Sequence, residues 1–352
     1  MSINIRSIFR ALVALYQDNN NVYKYSTFIL LSVTGFFFYQ GSLSSIRFSL
    51  YIDTIDTVAA TLILSYLSYF LIRMAIKKHP SPVKALLNEL RVQIRQPKRI
   101  VSFLLLFIAI NLILSLYTSI KSTIGAIYPF QLDLTLHNLD KLIHFETVPW
   151  QFTHALFPSP YASSVINILY NLWFFIVWGT LLVFMLQPKA SREKFLISFI
   201  SCWIILGGVI AILLASSGPC YLALLENNSM HYQPLFQRLA EQNQVLELQN
   251  WPQLWALETQ QALWQAHTNN TLDLGSGISA MPSMHVSMAT LMALGVSAQN
   301  RALGWLFWIY ALAILIGSVH LGWHYAVDGY ASIVATIVIW TVVNRYYDKH
   351  LL

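Results

Sequence analysis

An all-helical, polytopic membrane bundle of about eight spans, with both termini cytoplasmic, is the fold class the sequence predicts, and three observations predict it. The first is composition. Hydrophobic residues make up 56% of the chain and charged residues only 10%, with a mean hydropathy of +0.55, whereas a soluble domain carries roughly 25% charged residues. The second is the number of apolar stretches that reach the roughly 17 to 25 residues a membrane helix needs; they fall at 25–43, 51–75, 100–120, 163–186, 195–216, 280–298, 303–319 and 325–344. The third is the distribution of positive charge. With the N-terminus cytoplasmic, 17 of the 21 Lys and Arg residues lie inside and only Arg47, Lys121, Lys141 and Arg238 outside, as the positive-inside rule requires. The net charge of +6 is therefore a topology signal and gives no reason to expect nucleic acid as a partner.

Taken in order, residues 1–20 form a short basic, amphipathic stretch with no small-residue cleavage pattern after the first apolar run, so the first span is expected to be retained. Asp53 and Asp56 stand near the outer end of the second span, where interfacial placement accounts for them. Residues 77–99 mix basic residues with leucines at helical spacing; this reads either as an interfacial helix on an anionic leaflet or as an ordinary basic cytoplasmic loop. The spans up to residue 120, with this loop, form an N-terminal region without a chemical motif, and residues 121–352 form the region that carries the motifs. Cys202 falls inside an apolar stretch and Cys220 at the end of one; neither a disulfide framework nor a cysteine zinc site follows from two such residues. The connection 217–279 is acidic, with Glu226, Glu241, Glu247, Glu258 and Asp273 against Arg238, and carries Trp251, Trp255 and Trp264 among leucines. Its aromatic content predicts order and a helix at the membrane surface, either a lid over a site or a cap that seals the bundle.

The chemistry-bearing residues sit at the ends of the last three spans. Met281-Pro282-Ser283-Met284-His285 opens the sixth, and His320-Leu321-Gly322-Trp323-His324-Tyr325-Ala326-Val327-Asp328 lies between the seventh and eighth. Titratable groups are costly in hydrocarbon, so their collection on one face is a functional-site signal. His324 and Asp328 are four apart, within reach on one helical face, which would fix the imidazole tautomer and raise the basicity of the free ring nitrogen. His285 is then placed for general acid and base work. Pro282 suits a first helical turn, and Ser283 offers a hydroxyl or an amide to an anionic oxygen at a helix N-terminus.

These segments, Pro-Ser-x-His followed one hairpin later by Gly-x-His-x-x-x-Asp, resemble the second and third motifs of the type 2 phosphatidic acid phosphatase superfamily. Ala280 to His285, His324-Tyr325-x-x-Asp328 and Ser217-Gly218-Pro219-Cys220-Tyr221 are most similar to the branch of inositol phosphorylceramide synthases and inositolphosphotransferases. The likeness covers roughly residues 130–345. It implies that His324 is the nucleophile that becomes phosphorylated, that Asp328 orients it and that His285 is the acid/base. Two departures stand out. The family pattern has Arg where this chain has Ser318, and its first motif, opening here at Lys141, has Arg-Pro where this chain has Val148-Pro149. With two guanidiniums missing, a singly charged phosphodiester donor is easier to accommodate than a phosphate monoester, which leans the expectation toward headgroup transfer to an alcohol acceptor. A simple lipid-phosphate or polyprenyl-phosphate phosphatase is the alternative. Arg238, Lys121 or Lys141 are alternative sources of positive charge.

The expected substrate-binding residues are Ser283, Lys141, Ser318 and His320, and the mechanism requires no metal and no cofactor. The expected partner is a membrane lipid with a phosphate-containing headgroup, in a bacterial inner membrane with the site facing the periplasm. Other readings remain open. His320, His324 and Asp328 at i, i+4 and i+8 form a metal-ligand stripe if one helix carries all three, the preferred reading of His320 is a residue that packs or hydrogen-bonds at the site rim, and His137 and His144 read as ordinary outer-loop residues. A transporter or scaffold would be favoured by charges in mid-helix or by matching broken helices, and neither pattern is evident.

Overall fold

A computed structural model describes residues 13, 16–48, 63–64, 67, 70–71, 73–94, 97–225, 230–269, 271 and 277–350. The described residues are mostly helical and contain no strand. In chain order the main helices are α1 (Asn20–Tyr39), α2 (Pro82–Ile94), α3 (Pro97–Ile127), α4 (Asp133–Ile143), α5 (Pro149–Leu156), α6 (Pro160–Asn171), α7 (Trp173–Met185) and α8 (Lys189–Ser201). They continue with α9 (Gln233–Leu248), α10 (Trp255–Thr268), α11 (Met284–Gln299), α12 (Arg301–His320) and α13 (Ala326–His350). α8 runs on through a π-helical stretch, Cys202–Ile210, to Leu213. There Gly207 matters for packing, because a Cβ on it would lie 2.5 Å from the Tyr117 ring and 3.1 Å from the Met284 sulfur.

Among the described residues five helical stretches are long and apolar enough to cross a membrane, Lys98–Ile127, Pro160–Met185, Lys189–Leu213, Arg301–His320 and Ala326–Lys349, so the membrane helix bundle stands. The expected eight spans differ at three places. Helix α1 forms where the first was expected but is not among these five. The second, 51–75, lies largely outside the described residues, as do Asp53 and Asp56. The sixth forms as α11, whose 16 residues rise about 24 Å at 1.5 Å each, short of a hydrocarbon core of about 30 Å. Its environment explains the length. Nearly every residue from Met284 to Val296 is buried, and α11 packs on α12 and α13, with Ser287 and Thr336 joined by a 2.8 Å hydroxyl contact. Protein, not lipid, surrounds it.

The chain forms two compact units, one of Met1–Leu116 with Leu182–Glu193, the other of Tyr117–Leu181 with Lys194–Leu352. In the first, Asp18 accepts from Arg192 at 3.0 Å and from Ser102 at 3.2 Å, while Asn19, fully buried, donates to Ser102 at 2.8 Å. Within the basic stretch 77–99, Pro82–Ile94 form a helix, α2.

In the second unit the 217–279 connection is largely a docked cap. Glu226 and Asp273 lie outside the described residues; the rest centres on α9 and α10. Leu235, Leu239 and Leu246 of α9 are fully buried in one apolar cluster with Leu254, Val319, Tyr325 and Val327. Polar bonds hold the same surface: Ser164 donates to Pro252 O at 2.6 Å, Asn167 accepts from Ala256 N at 3.2 Å, and Gln260 donates to Leu321 O at 3.0 Å. These contacts favour the cap over a free lid. Trp251 and Trp255 remain exposed, as side chains at a membrane interface are.

Candidate active site

Three segments distant in sequence are stitched together by backbone hydrogen bonds. Ser216 O accepts from Ala280 N at 2.9 Å and its hydroxyl accepts from Met281 N at 3.1 Å, which ties the loop after Leu213 to the approach to α11. Ser283 N reaches toward Asp328 O at 3.4 Å, which joins that approach to the start of α13. Gly218 permits the closest contact. Its φ is +95°, and a Cβ there would lie 2.7 Å from Trp323 O and 3.2 Å from the Ala280 Cβ, so both backbone conformation and space call for glycine.

His324 occupies the turn between α12 and α13, not a helix, because α13 begins only at Ala326. The expected pair still forms across that turn. His324 Nδ1 lies 3.4 Å from Asp328 Oδ2, an ion-pair distance that falls short of a well-formed hydrogen bond, and Nδ1 has no other partner. Asp328 is completely buried, and its Oδ2 accepts from Tyr325 N at 3.0 Å. That is the backward half of a capping box, a carboxylate in the first helical turn closing on the residue before the helix. With Nδ1 turned to the carboxylate, Nε2 is the ring nitrogen that Asp328 does not engage.

His285, in the first turn of α11, lies in an aromatic box. Its ring stacks on Tyr170 at 4.7 Å and meets Trp173 at 4.2 Å and Phe174 edge-on at 5.9 Å, while Trp173 Nε1 donates to its carbonyl at 3.0 Å. Tyr170 also stacks at 6.4 Å on Trp323, the neighbour of His324. His324 and Lys121 of α3 both lie within electrostatic reach of the His285 ring. Ser283 is fully buried and its hydroxyl has no hydrogen-bond partner, a costly state for a polar atom and one suited to an anionic oxygen.

The other expected binding residues are engaged elsewhere. Lys141 pairs with Glu146 at 3.2 Å on the exposed side of α4. Ser318 donates to Leu315 O of its own helix at 2.8 Å. His320 stacks on His154 at 3.8 Å, and its Nε2 meets the Ser163 hydroxyl at 2.8 Å, which in turn donates to Gln242 at 2.7 Å. Its role is thus to fasten α5, α6 and α9 behind the His324 turn. Arg238 donates to Pro158 O at 3.1 Å and lies on that same side. The i, i+4, i+8 metal stripe does not form, because the turn between α12 and α13 separates His320 from the other two, and no group of candidate metal ligands occurs among the described residues. His137 bonds to Tyr232 at 3.1 Å, and His144 to Asp140 O at 2.7 Å and Tyr330 at 2.9 Å.

Two residues that sequence reasoning passed over hold the site in place. On α4 the buried positions are Asp133, Leu136, His137 and Asp140, one helical face. Asp133 accepts from Ser217 N at 2.9 Å, Gly218 N at 2.8 Å and Tyr325 OH at 3.0 Å. Burial pushes its carboxyl up, and these donors pull it back in part. Asp140 accepts from Ala326 N at 2.8 Å and Val327 N at 2.9 Å, satisfying the unpaired amides at the start of α13. Burial outweighs those bonds and pushes its carboxyl up to about 6. Two carboxylates seven residues apart on an apolar helical face were the available signal.

A search of curated proteins finds undecaprenyl-diphosphatase BcrC of Bacillus subtilis (strain 168), 31% identical over 83 residues, which are 24% of this chain and 43% of that relative. The match thus spans less than half of the relative's length. No solved structure matches. Neither finding supports the inositolphosphotransferase branch in particular. The family model described as PAP2 superfamily matches residues 134–342, a stretch that runs from α4 through α13 and contains both histidine segments. The chain belongs to the PAP2 superfamily, the type 2 phosphatidic acid phosphatases that its Pro-Ser-x-His and Gly-x-His-x-x-x-Asp segments resemble.

Proposed function

We propose that the protein is a membrane lipid phosphatase that releases phosphate from a lipid phosphate or diphosphate through a phospho-His324 intermediate. The observation that carries this reading is the joining of the Ser216–Gly218, Ala280–His285 and Trp323–Asp328 segments within one family domain. In the first step His324 Nε2 attacks phosphorus, the bond to the leaving oxygen breaks, and His285 gives that oxygen a proton. Asp328, 3.4 Å from Nδ1, stabilises the positive charge that grows on the imidazole. In the second step His285, now basic, takes a proton from water, the water oxygen attacks phosphorus, and His324 departs as neutral imidazole. The buried Ser283 hydroxyl and the α11 N-terminus receive a nonbridging phosphate oxygen. Lys121, within electrostatic reach of His285, supplies positive charge in place of the two arginines that the family pattern has at the positions of Val148 and Ser318. The named relative makes a polyprenyl diphosphate the first substrate to test.

One observation favours a second reading, headgroup transfer to an alcohol. Val148 and Ser318 leave two cationic positions of the family pattern empty, and Ser318 is buried against its own helix, which fits a singly charged diester better than a diphosphate. The experiment is turnover by purified protein of a polyprenyl diphosphate and, separately, of a diester lipid with an alcohol acceptor. Phosphate release from the first, absent in His324→Ala and lowered about 10²- to 10⁴-fold in His285→Ala, is the expected outcome. Acceptor-dependent exchange on the diester alone would replace the phosphatase by a transferase, and full activity of His324→Ala would overturn both.

A further inference from the structure

The first compact unit contains a cavity of about 340 Å³ lined by Asp18, Lys98, Arg99, Ser102, Arg192 and the apolar Phe103, Met185 and Leu186. Three cations face one carboxylate, and the carboxylate is already committed, since Asp18 accepts from Arg192 at 3.0 Å and from Ser102 at 3.2 Å. Arg192 is held rigidly. One terminal nitrogen donates to Gln187 O at 3.1 Å and the other to Asp18 O at 3.3 Å, the side chain is only 11% exposed, and its Nε is buried without a partner. Lys98 and Arg99 are exposed at the mouth, in the first turn of the 31-residue α3, where helix amides and dipole favour an anion.

Position adds the second half of the argument. Lys98 opens one membrane-spanning stretch, Met185 closes another and Lys189 opens a third, so the cavity lies where span ends meet the headgroup layer. Phe103, Met185 and Leu186 give it an apolar wall beside the cationic one. A surface that is basic on one side and apolar on the other, at the depth of lipid phosphates, matches the headgroup and upper chains of an anionic lipid. Its volume is in the range of small-ligand pockets.

We propose that this cavity is a binding site for a phosphate-bearing anion, the interfacial position favouring the headgroup of an anionic phospholipid, held by Lys98, Arg99 and Arg192. It is separate from the His324 chemistry and does not depend on the phosphatase reading. The test uses the full chain carrying His324→Ala, so that no turnover intervenes, in a neutral detergent. Native mass spectrometry follows titration with phosphatidylglycerol, with phosphatidylcholine and with inorganic phosphate, on this protein and on the same protein with Lys98→Ala and Arg99→Ala, two exposed changes that leave the Asp18–Arg192 pair intact. Phosphatidylglycerol is expected to bind in preference to phosphatidylcholine, and the double change to weaken it about 30-fold, the combined worth of two interfacial cations. Inorganic phosphate that binds equally well and displaces the lipid would assign the same site to free phosphate. Equal binding of both lipids, or phosphatidylglycerol affinity unaltered by the double change, would overturn the proposal.

Discussion

Asp133 and Asp140 show how much of this site depends on groups that do no chemistry. Each is a positioning residue: Asp133 holds Ser217, Gly218 and Tyr325, and Asp140 holds the first amides of α13. Removing Asp133 leaves three buried donors unpaired, each costing about 1 to 3 kcal/mol. Asp133→Ala is therefore expected to lower the melting temperature and to suppress turnover, whereas Tyr325→Phe, which removes a single bond, should cost about 1 kcal/mol and keep turnover within tenfold. Equal effects in both assays would contradict this division. Asp140 makes a prediction about pH. Its carboxyl is raised to about 6 in the fold and titrates near 4 in an unfolded chain, so the folded state binds a proton that the unfolded state has released. The resulting stabilisation is full below about pH 4 and is lost as pH rises through 6; two units correspond to on the order of 3 kcal/mol. His137, lowered to about 4 chiefly by burial, works in the opposite sense, its stabilisation being lost as pH falls. The informative quantity is thus the melting-temperature difference between the wild type and Asp140→Asn. It should shift by several degrees against the wild type between pH 4 and pH 7, and a constant difference would show that Asp140 does not titrate there.

At the level of elements, α9 has the clearest energetic role. Its residues Leu235, Leu239 and Leu246 are fully buried, whereas Leu248 at its end is 81% exposed. Leu239→Ala is expected to destabilise by about 2 to 5 kcal/mol through lost burial and the cavity left behind, and Leu248→Ala by less than about 0.5 kcal/mol, as thermal melting in detergent would register. Because the same cluster contains Tyr325, Ala326 and Val327, the Leu239 change should also reduce turnover; a mobile lid would instead let Leu239→Ala melt like the wild type. α11 illustrates how an element's length follows its neighbours. Enclosed by α12, α13 and the π-helical stretch, it presents almost no surface to lipid and needs no full span.

For the second unit as a whole, the spanning stretches Arg301–His320 and Ala326–Lys349 put His320 and Ala326 at the end that adjoins the candidate site and Arg301 and Lys349 at the far end. The positive-inside rule predicts that the ends carrying Arg301, Arg345 and Lys349 are cytoplasmic. A cysteine placed at Leu248 should therefore react with an impermeant thiol reagent added outside intact cells, and one at Arg301 only after the membrane is opened. The reverse pattern would move the site to the cytoplasmic face. Composition and apolar length by themselves determined a helical membrane protein, because the bilayer requires every spanning segment to satisfy its own backbone. The local spacing of Ser283 and His285, and of His324 and Asp328, was likewise enough to mark the family segments and the candidate site residues, since their relation is set within a turn or two of chain. Packing alone decided the rest. Asp133 and Asp140 acquire their roles from amides more than 80 residues away in sequence, and His320, Ser318 and Lys141 are directed to Ser163, Leu315 O and Glu146. A side chain's partners depend on which helices meet, and that is a property of the tertiary structure and not of any local pattern.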